Sequence, residues 1–170
     1  QPQPNKDICL TPRVEVFKDD VWYTNLYDLP ATVASEDTDS VIKLIADVKL
    51  KNADRQELEG TASAFDITYT CAADKTEIRV STEQDIKAKT AFVLPIVSPN
   101  NEVVTKISDT EMTIQKPDGL VRIKANVPLK IKGMAGSRIF NMVPGVEAIP
   151  FEAYFDKETN EALEISISVS

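Results

Sequence analysis

The sequence predicts an all-β fold, a two-sheet antiparallel β-sandwich of the super-sandwich kind with little or no helix. Three observations point there. Run after run alternates polar and apolar residues with period two, the mark of a half-buried strand. Turn-forming residues separate these runs at the short intervals typical of sandwiches. No segment shows an amphipathic helical stripe; Ser81–Lys87 opens like a short turn, but its apolar content is too low for a packed helix.

Taken in order, Arg13-Val14-Glu15-Val16-Phe17 alternates. Val41–Leu50 follows, with Ile42, Leu44, Ala46, Val48 and Leu50 on one face and Lys43, Asp47 and Lys49 on the other. Between them Ala34–Ser40, with Glu36, Asp37 and Asp39, reads as an acidic loop, and Asn52–Gly60 as a polar connection. Phe65–Cys71 and Glu77–Val80 repeat the alternation. Ala91–Val97 is continuously apolar, so it reads as a strand buried on both faces, with Pro95 implying an edge or a bulge. Met112–Lys116 and Val121–Val127 flank Asp118-Gly119, a hairpin signal because both residues tolerate positive φ. Ile139–Val143, Phe151–Phe155 and Leu163–Val169 complete roughly ten or eleven strands, the last two joined by a polar hairpin loop over Asp156–Asn160.

The 170 residues, 42% hydrophobic, suit one enlarged sandwich over residues 12–170. Residues 1–11, opening Gln1-Pro2-Gln3-Pro4-Asn5, read as a linker or processed stalk. The opening residue is not Met, which fits a processed chain or a piece of a longer one. No apolar run approaches the roughly 20 residues of a membrane span. The net charge of −8 argues against nucleic acid and anionic membrane surfaces as partners. The chain holds no His, which excludes serine–histidine and cysteine–histidine catalysis and any scheme that needs an imidazole. Cys9 and Cys71 form no C-x-x-C motif; they pair as a disulfide or are two small buried hydrophobes. No cofactor or metal site is indicated: the acidic loop lacks the D-x-D-x-D-G spacing of a calcium loop and fits a solvated surface.

Two stretches offer ligand-binding candidates. Trp22, Tyr23 and Tyr27 fall within six residues, and aromatic faces pack against the C–H faces of sugar rings. A lone Trp in a sandwich more often caps the core, with Tyr23 and Tyr27 then at the rim. Gly133–Gly145 holds three of the five glycines together with Arg138, which can grip a carboxylate, and Asn141. The alternative there is a turn, with Arg138 paired to a carboxylate such as Glu147. Acidic residues are scattered, and nothing selects the pair a glycosidase needs.

The succession of Ala91–Val97, Met112–Lys116 with its Asp118-Gly119 turn, Arg138-Ile139-Phe140-Asn141, Val143-Pro144-Gly145 and Ile149-Pro150-Phe151 resembles the terminal β-sandwich of heparinase II/III-like polysaccharide lyases. It is also similar to sandwiches in other carbohydrate-active proteins of Bacteroides-type bacteria. The resemblance covers residues 65–170 and is one of pattern. It implies a large sandwich, a periplasmic, cell-surface or secreted location, and a link to polysaccharide breakdown. It transfers no active site, since the catalytic Tyr and His of such lyases lie mainly on other domains. The leading expectation is therefore a non-enzymatic accessory domain or glycan-binding protein whose partner is a polysaccharide or a neighbouring protein domain. The alternatives are a structural or adhesive surface protein, or a small enzyme working with carboxylates and Tyr alone.

Overall fold

A computed structural model describes residues 6–29, 32–134, 137–141, 145–155 and 161–170. Fourteen strands are present and no α-helix is found among the described residues. In chain order they are β1 (Arg13–Lys18), β2 (Val21–Thr24), β3 (Thr32–Asp37), β4 (Ile42–Lys49), β5 (Ala64–Cys71), β6 (Lys75–Ser81), β7 (Thr90–Val97), β8 (Val103–Ser108), β9 (Glu111–Lys116), β10 (Gly119–Ala125), β11 (Leu129–Ile131), β12 (Ile139–Asn141), β13 (Val146–Tyr154) and β14 (Ala162–Val169).

The strands form two sheets, antiparallel throughout. The smaller runs β11-β13-β7-β1-β2, with β12 also on β13; the larger runs β3-β4-β5-β6-β14-β10-β9-β8. The predicted β-sandwich is what the chain adopts. Alternation builds the core. Val14 and Val16 of β1, Phe92 and Leu94 of β7 and Phe151 of β13 point inward from the smaller sheet and are 0–3% exposed. Phe65, Ile67, Val80, Ile123 and Leu163 meet them from the larger sheet.

Several local readings are corrected. Part of the acidic stretch is a strand: Thr32–Asp37 pairs with Ile42–Asp47 as β3, because the Thr and Val that precede the acids favour extended backbone. Pro95 keeps the expected edge position locally, although β7 is flanked on both sides over residues 90–93. It stands opposite Pro150 across β7–β13, while β1 pairs only with residues 90–93, so the missing N–H interrupts no ladder bond. The hairpin β9–β10 is present, but Gly119 pairs with Lys116 inside the ladder and the turn residues are Pro117 and Asp118. Glycine is required there for another reason: a Cβ would sit 2.7 Å from the Ser170 carbonyl oxygen, which accepts the Leu120 N–H. The β1–β2 turn does use positive φ, at Asp19 (51°) and Asp20 (61°), the backbone twist that suits a two-residue hairpin. β13 and β14 belong to different sheets, so the chain between them crosses the sandwich and makes no hairpin; residues 156–160 themselves lie outside the described residues. Cys9 and Cys71 are unpaired half-buried thiols, which leaves the small-hydrophobe reading.

Candidate functional site

The outer face of the smaller sheet gathers the chemistry. β1 turns Arg13, Glu15 and Phe17 outward, in alternation with inward Val14 and Val16. The tight turn then brings Trp22 of β2 directly opposite Phe17. Their rings meet with centroids 4.9 Å apart at an interplanar angle of 40°. Trp22 is 38% exposed and is no part of the core, contrary to the commoner expectation for a lone Trp.

Beside this pair, β7 and β13 contribute Ala91, Glu152 and Tyr154. With Lys89, Glu15, Phe17 and Trp22 they line a hollow of about 250 Å³, room for a single sugar ring. Cations stand over its aromatic rings. Lys6 Nζ is 4.2 Å and Lys132 Nζ 5.0 Å from the Trp22 centroid; Lys89 Nζ is 4.1 Å and Lys130 Nζ 5.9 Å from that of Tyr154. These distances lie within cation–π range.

Beneath the rings lies a buried ionic triad. Glu15, 1% exposed, accepts the Arg13 Nε–H at 2.6 Å and a hydrogen bond from Lys132 Nζ. Arg13, 2% exposed, also donates from Nη1 to the carbonyls of Cys9 (3.3 Å) and Thr11 (3.5 Å). Residues 6–11 thus pack across this face. The hydrogen bond from Lys6, at 2.5 Å, lowers the Asp7 carboxyl below its ordinary range against an opposing push from burial, and the charges of Lys6, Lys132 and Arg13 add to it. Burial raises the Tyr154 phenol to about 12, helped by its hydrogen bond and charge contact with Glu152. Tyr154 therefore stays protonated at neutral pH. Lys6, Arg13, Lys89, Lys130 and Lys132 outnumber Asp7, Glu15 and Glu152 here, so the face is locally positive on a chain of net charge −8.

The sequence candidates scatter around this arrangement. Tyr23 alternates inward from Trp22 and packs against the core. Tyr27 is half-buried in a 3₁₀ turn over Asn25–Tyr27, capped by the Thr24 hydroxyl and tied to β1 through a Val14 N–H to Asn25 Oδ1 bond of 2.8 Å. Asn141 donates to the Ile8 carbonyl at 2.9 Å and so anchors the segment that crosses the face. Arg138 lies elsewhere, donating to the carbonyls of Ser98 (3.0 Å) and Glu102 (2.8 Å) beside a separate hollow of about 470 Å³. Glu147, its expected partner, accepts instead from the Asn100 N–H at 2.7 Å. Burial pushes the Glu102 carboxyl up, but the Lys116 hydrogen bond and the Lys116 and Arg138 charges outweigh it and hold Glu102 below its usual range. Residues 135, 136 and 142–144 of the glycine-bearing stretch lie outside the described residues.

Phe17, Lys89, Lys130, Lys132 and Tyr154 are site residues that motif reading does not select. One signal was available: Phe17 falls in phase with Arg13 and Glu15, on the polar side of its strand.

The model of the ulvan lyase C-terminal domain family matches the chain over residues 1–170. The chain belongs to that family. It is 56% identical over 161 residues to a broad-specificity ulvan lyase of Formosa agariphila, a match that takes in 95% of this chain. The chain spans about a quarter, 25%, of the length of that curated relative. No solved structure matches it. The resemblance to the terminal sandwich of polysaccharide lyases therefore holds at the level of a polysaccharide lyase C-terminal domain.

Proposed function

We propose that this domain is a non-catalytic accessory unit of a polysaccharide lyase, and that it holds an acidic polysaccharide against the Phe17–Trp22–Tyr154 face. The carrying observation is the conjunction of three exposed or half-exposed aromatic rings with four lysines on an otherwise acidic protein. Exposed ring surface packs on sugar C–H groups, while the ammonium groups that stand over the rings meet carboxylate or sulfate-ester substituents. Trp22, Lys89 and Lys132 are the principal contacts. Asn141 supports the site from behind through Ile8. Tyr23, Tyr27 and Arg138 serve the fold around it.

The substrate is the polysaccharide named for the relative, ulvan, and the setting is outside the cytoplasm, where such a polymer is met. The closer kinship with heparinase II/III-like lyases and with the sandwiches of Bacteroides-type bacteria belongs to this reading on the sequence pattern of residues 65–170. Elimination chemistry is assigned to the part of the lyase beyond this domain. The chain lacks His, and Tyr154, with its raised pKa, is a poor proton acceptor at neutral pH.

Electrophoresis of the chain through gels cast with ulvan tests this. Wild type is retarded, Trp22→Ala and Lys89→Ala migrate freely, and incubation with ulvan generates no ultraviolet-absorbing unsaturated sugar. Equal retardation of wild type and variants, or product formation by the chain alone, refutes the reading.

A further inference from the structure

The larger sheet is wider than the sheet packed on it, and its β3–β4 edge overhangs. Alternation and register place Val33, Ala46, Ile67 and Val80 in one row across the inner face, and Leu44, Tyr69 and Ile78 in the next. Within the sandwich these rows are sealed: Val80 is 0%, Ile67 2% and Ile78 2% exposed. Toward the edge they open, through half-buried Ala46 and Tyr69, to Leu44 at 38%, Ile42 at 47% and Val33 at 63%. All six residues of β3 are exposed. The inner face of a sandwich sheet thus continues past the point where its partner sheet stops, apolar along β4 and at Val33, with Ser35 and Asp37 in the same phase on β3. Single exposed hydrophobic residues are ordinary, but a contiguous strip in phase with the core marks a surface that something covers.

We propose that the strip of Val33, Ile42 and Leu44 over Tyr69 is the seat on which the rest of the lyase docks; this rests on the accessory-domain part of the function proposed above. The curated relative carries three quarters of its length outside the matched region, and the family is that of a C-terminal domain, so the covering body is the preceding part of the chain. A second copy is a poorer occupant. It would bring the exposed acids of the strip's own margin, Glu36 and Asp37, close to those of another chain of net charge −8, and that like charge opposes self-association. The position also suits the function. Thr24, at the end of the strand that carries Trp22, bridges Lys51 just beyond β4, so the Trp22 edge and the overhang lie on the same side of the sandwich. A polysaccharide held at Trp22 would be kept beside the docked body.

Hydrogen exchange read by mass spectrometry on the isolated chain and on a full-length lyase bearing it tests the proposal. Amides of 32–37 and 42–49 exchange at least tenfold more slowly in the full-length protein. Val33→Asp and Leu44→Asp in the full-length protein restore the fast rate, while the melting of the isolated chain is unchanged because both sites are exposed there. Equal exchange in the two proteins overturns docking at this strip. So does an isolated chain that sediments as a dimer with these amides already protected, since the occupant is then a second copy. Retention in ulvan gels is scored on the same preparations: loss of retention with protection intact removes the polysaccharide reading and leaves the docking surface standing.

Discussion

Replacing Glu15 by Gln removes the centre of the buried triad while keeping its volume. Glu15 is 1% exposed and answers two cations, Arg13 at 2% and Lys132 at 24% exposure. Without its charge, Arg13 stays out of water with neutral acceptors alone, two backbone carbonyls and the new amide oxygen. Breaking a buried pair by deleting one partner costs about 3–5 kcal/mol, because the charge left behind has lost its compensation. For a chain of this size, 1 kcal/mol moves Tm by about 2–4 °C. The expected drop is therefore about 6–20 °C by scanning calorimetry. Lys132→Met should cost less, since Glu15 keeps Arg13 and the more exposed lysine gives up less. A Glu15→Gln shift under about 3 °C, or a Lys132→Met shift larger than that of Glu15→Gln, would refute the claim that this triad is buried and centred on Glu15.

Gly119→Ala pushes a Cβ toward the Ser170 carbonyl and should cost about 1–3 kcal/mol in urea unfolding; measured against a chain already lacking Ser170, the same substitution should cost little, and an undiminished cost contradicts the contact. Burial raises the Tyr69 phenol to about 12 from 10.0. Its raised folded pKa means that its contribution is fully present below pH 10 and is lost as pH rises through 12, by about 2–3 kcal/mol for a shift of this size. Tyr69→Phe should flatten that alkaline fall in urea unfolding between pH 10 and 12, with Tyr154 adding a smaller fall in the same direction. A Tyr69→Phe curve parallel to wild type would contradict it.

The sandwich was legible because period-two alternation is a direct image of a two-faced strand, and β1, β4, β5 and β6 kept it with few interruptions. The errors share a cause: sequence reports a residue's local preference, not its neighbours across the sheet. Glu36 and Asp37 look like loop residues until the pairing with β4 extends them. Gly119 was selected for a turn, yet what excludes a side chain there is a carbonyl 51 positions away. The site was legible in one residue. Trp22 stood out by rarity, but its companions Lys89, Lys132 and Tyr154 come from strands remote in sequence, and only the register of β1, β7 and β13 brings them together. The overhang was not legible at all, because Ile42 and Leu44 carry the same pattern as Val48. Which of them is covered depends on the width of the other sheet.

Trp22 is the only tryptophan in the chain, so its fluorescence reports on the proposed binding face without labelling. Titration with ulvan oligosaccharides should give a saturable change in its emission, weakened by added salt as the lysine contacts are screened and abolished in Lys89→Ala. Saturable binding of the same oligosaccharides, detected by calorimetry while the emission of Trp22 stays unchanged, would place the polysaccharide elsewhere and contradict the account.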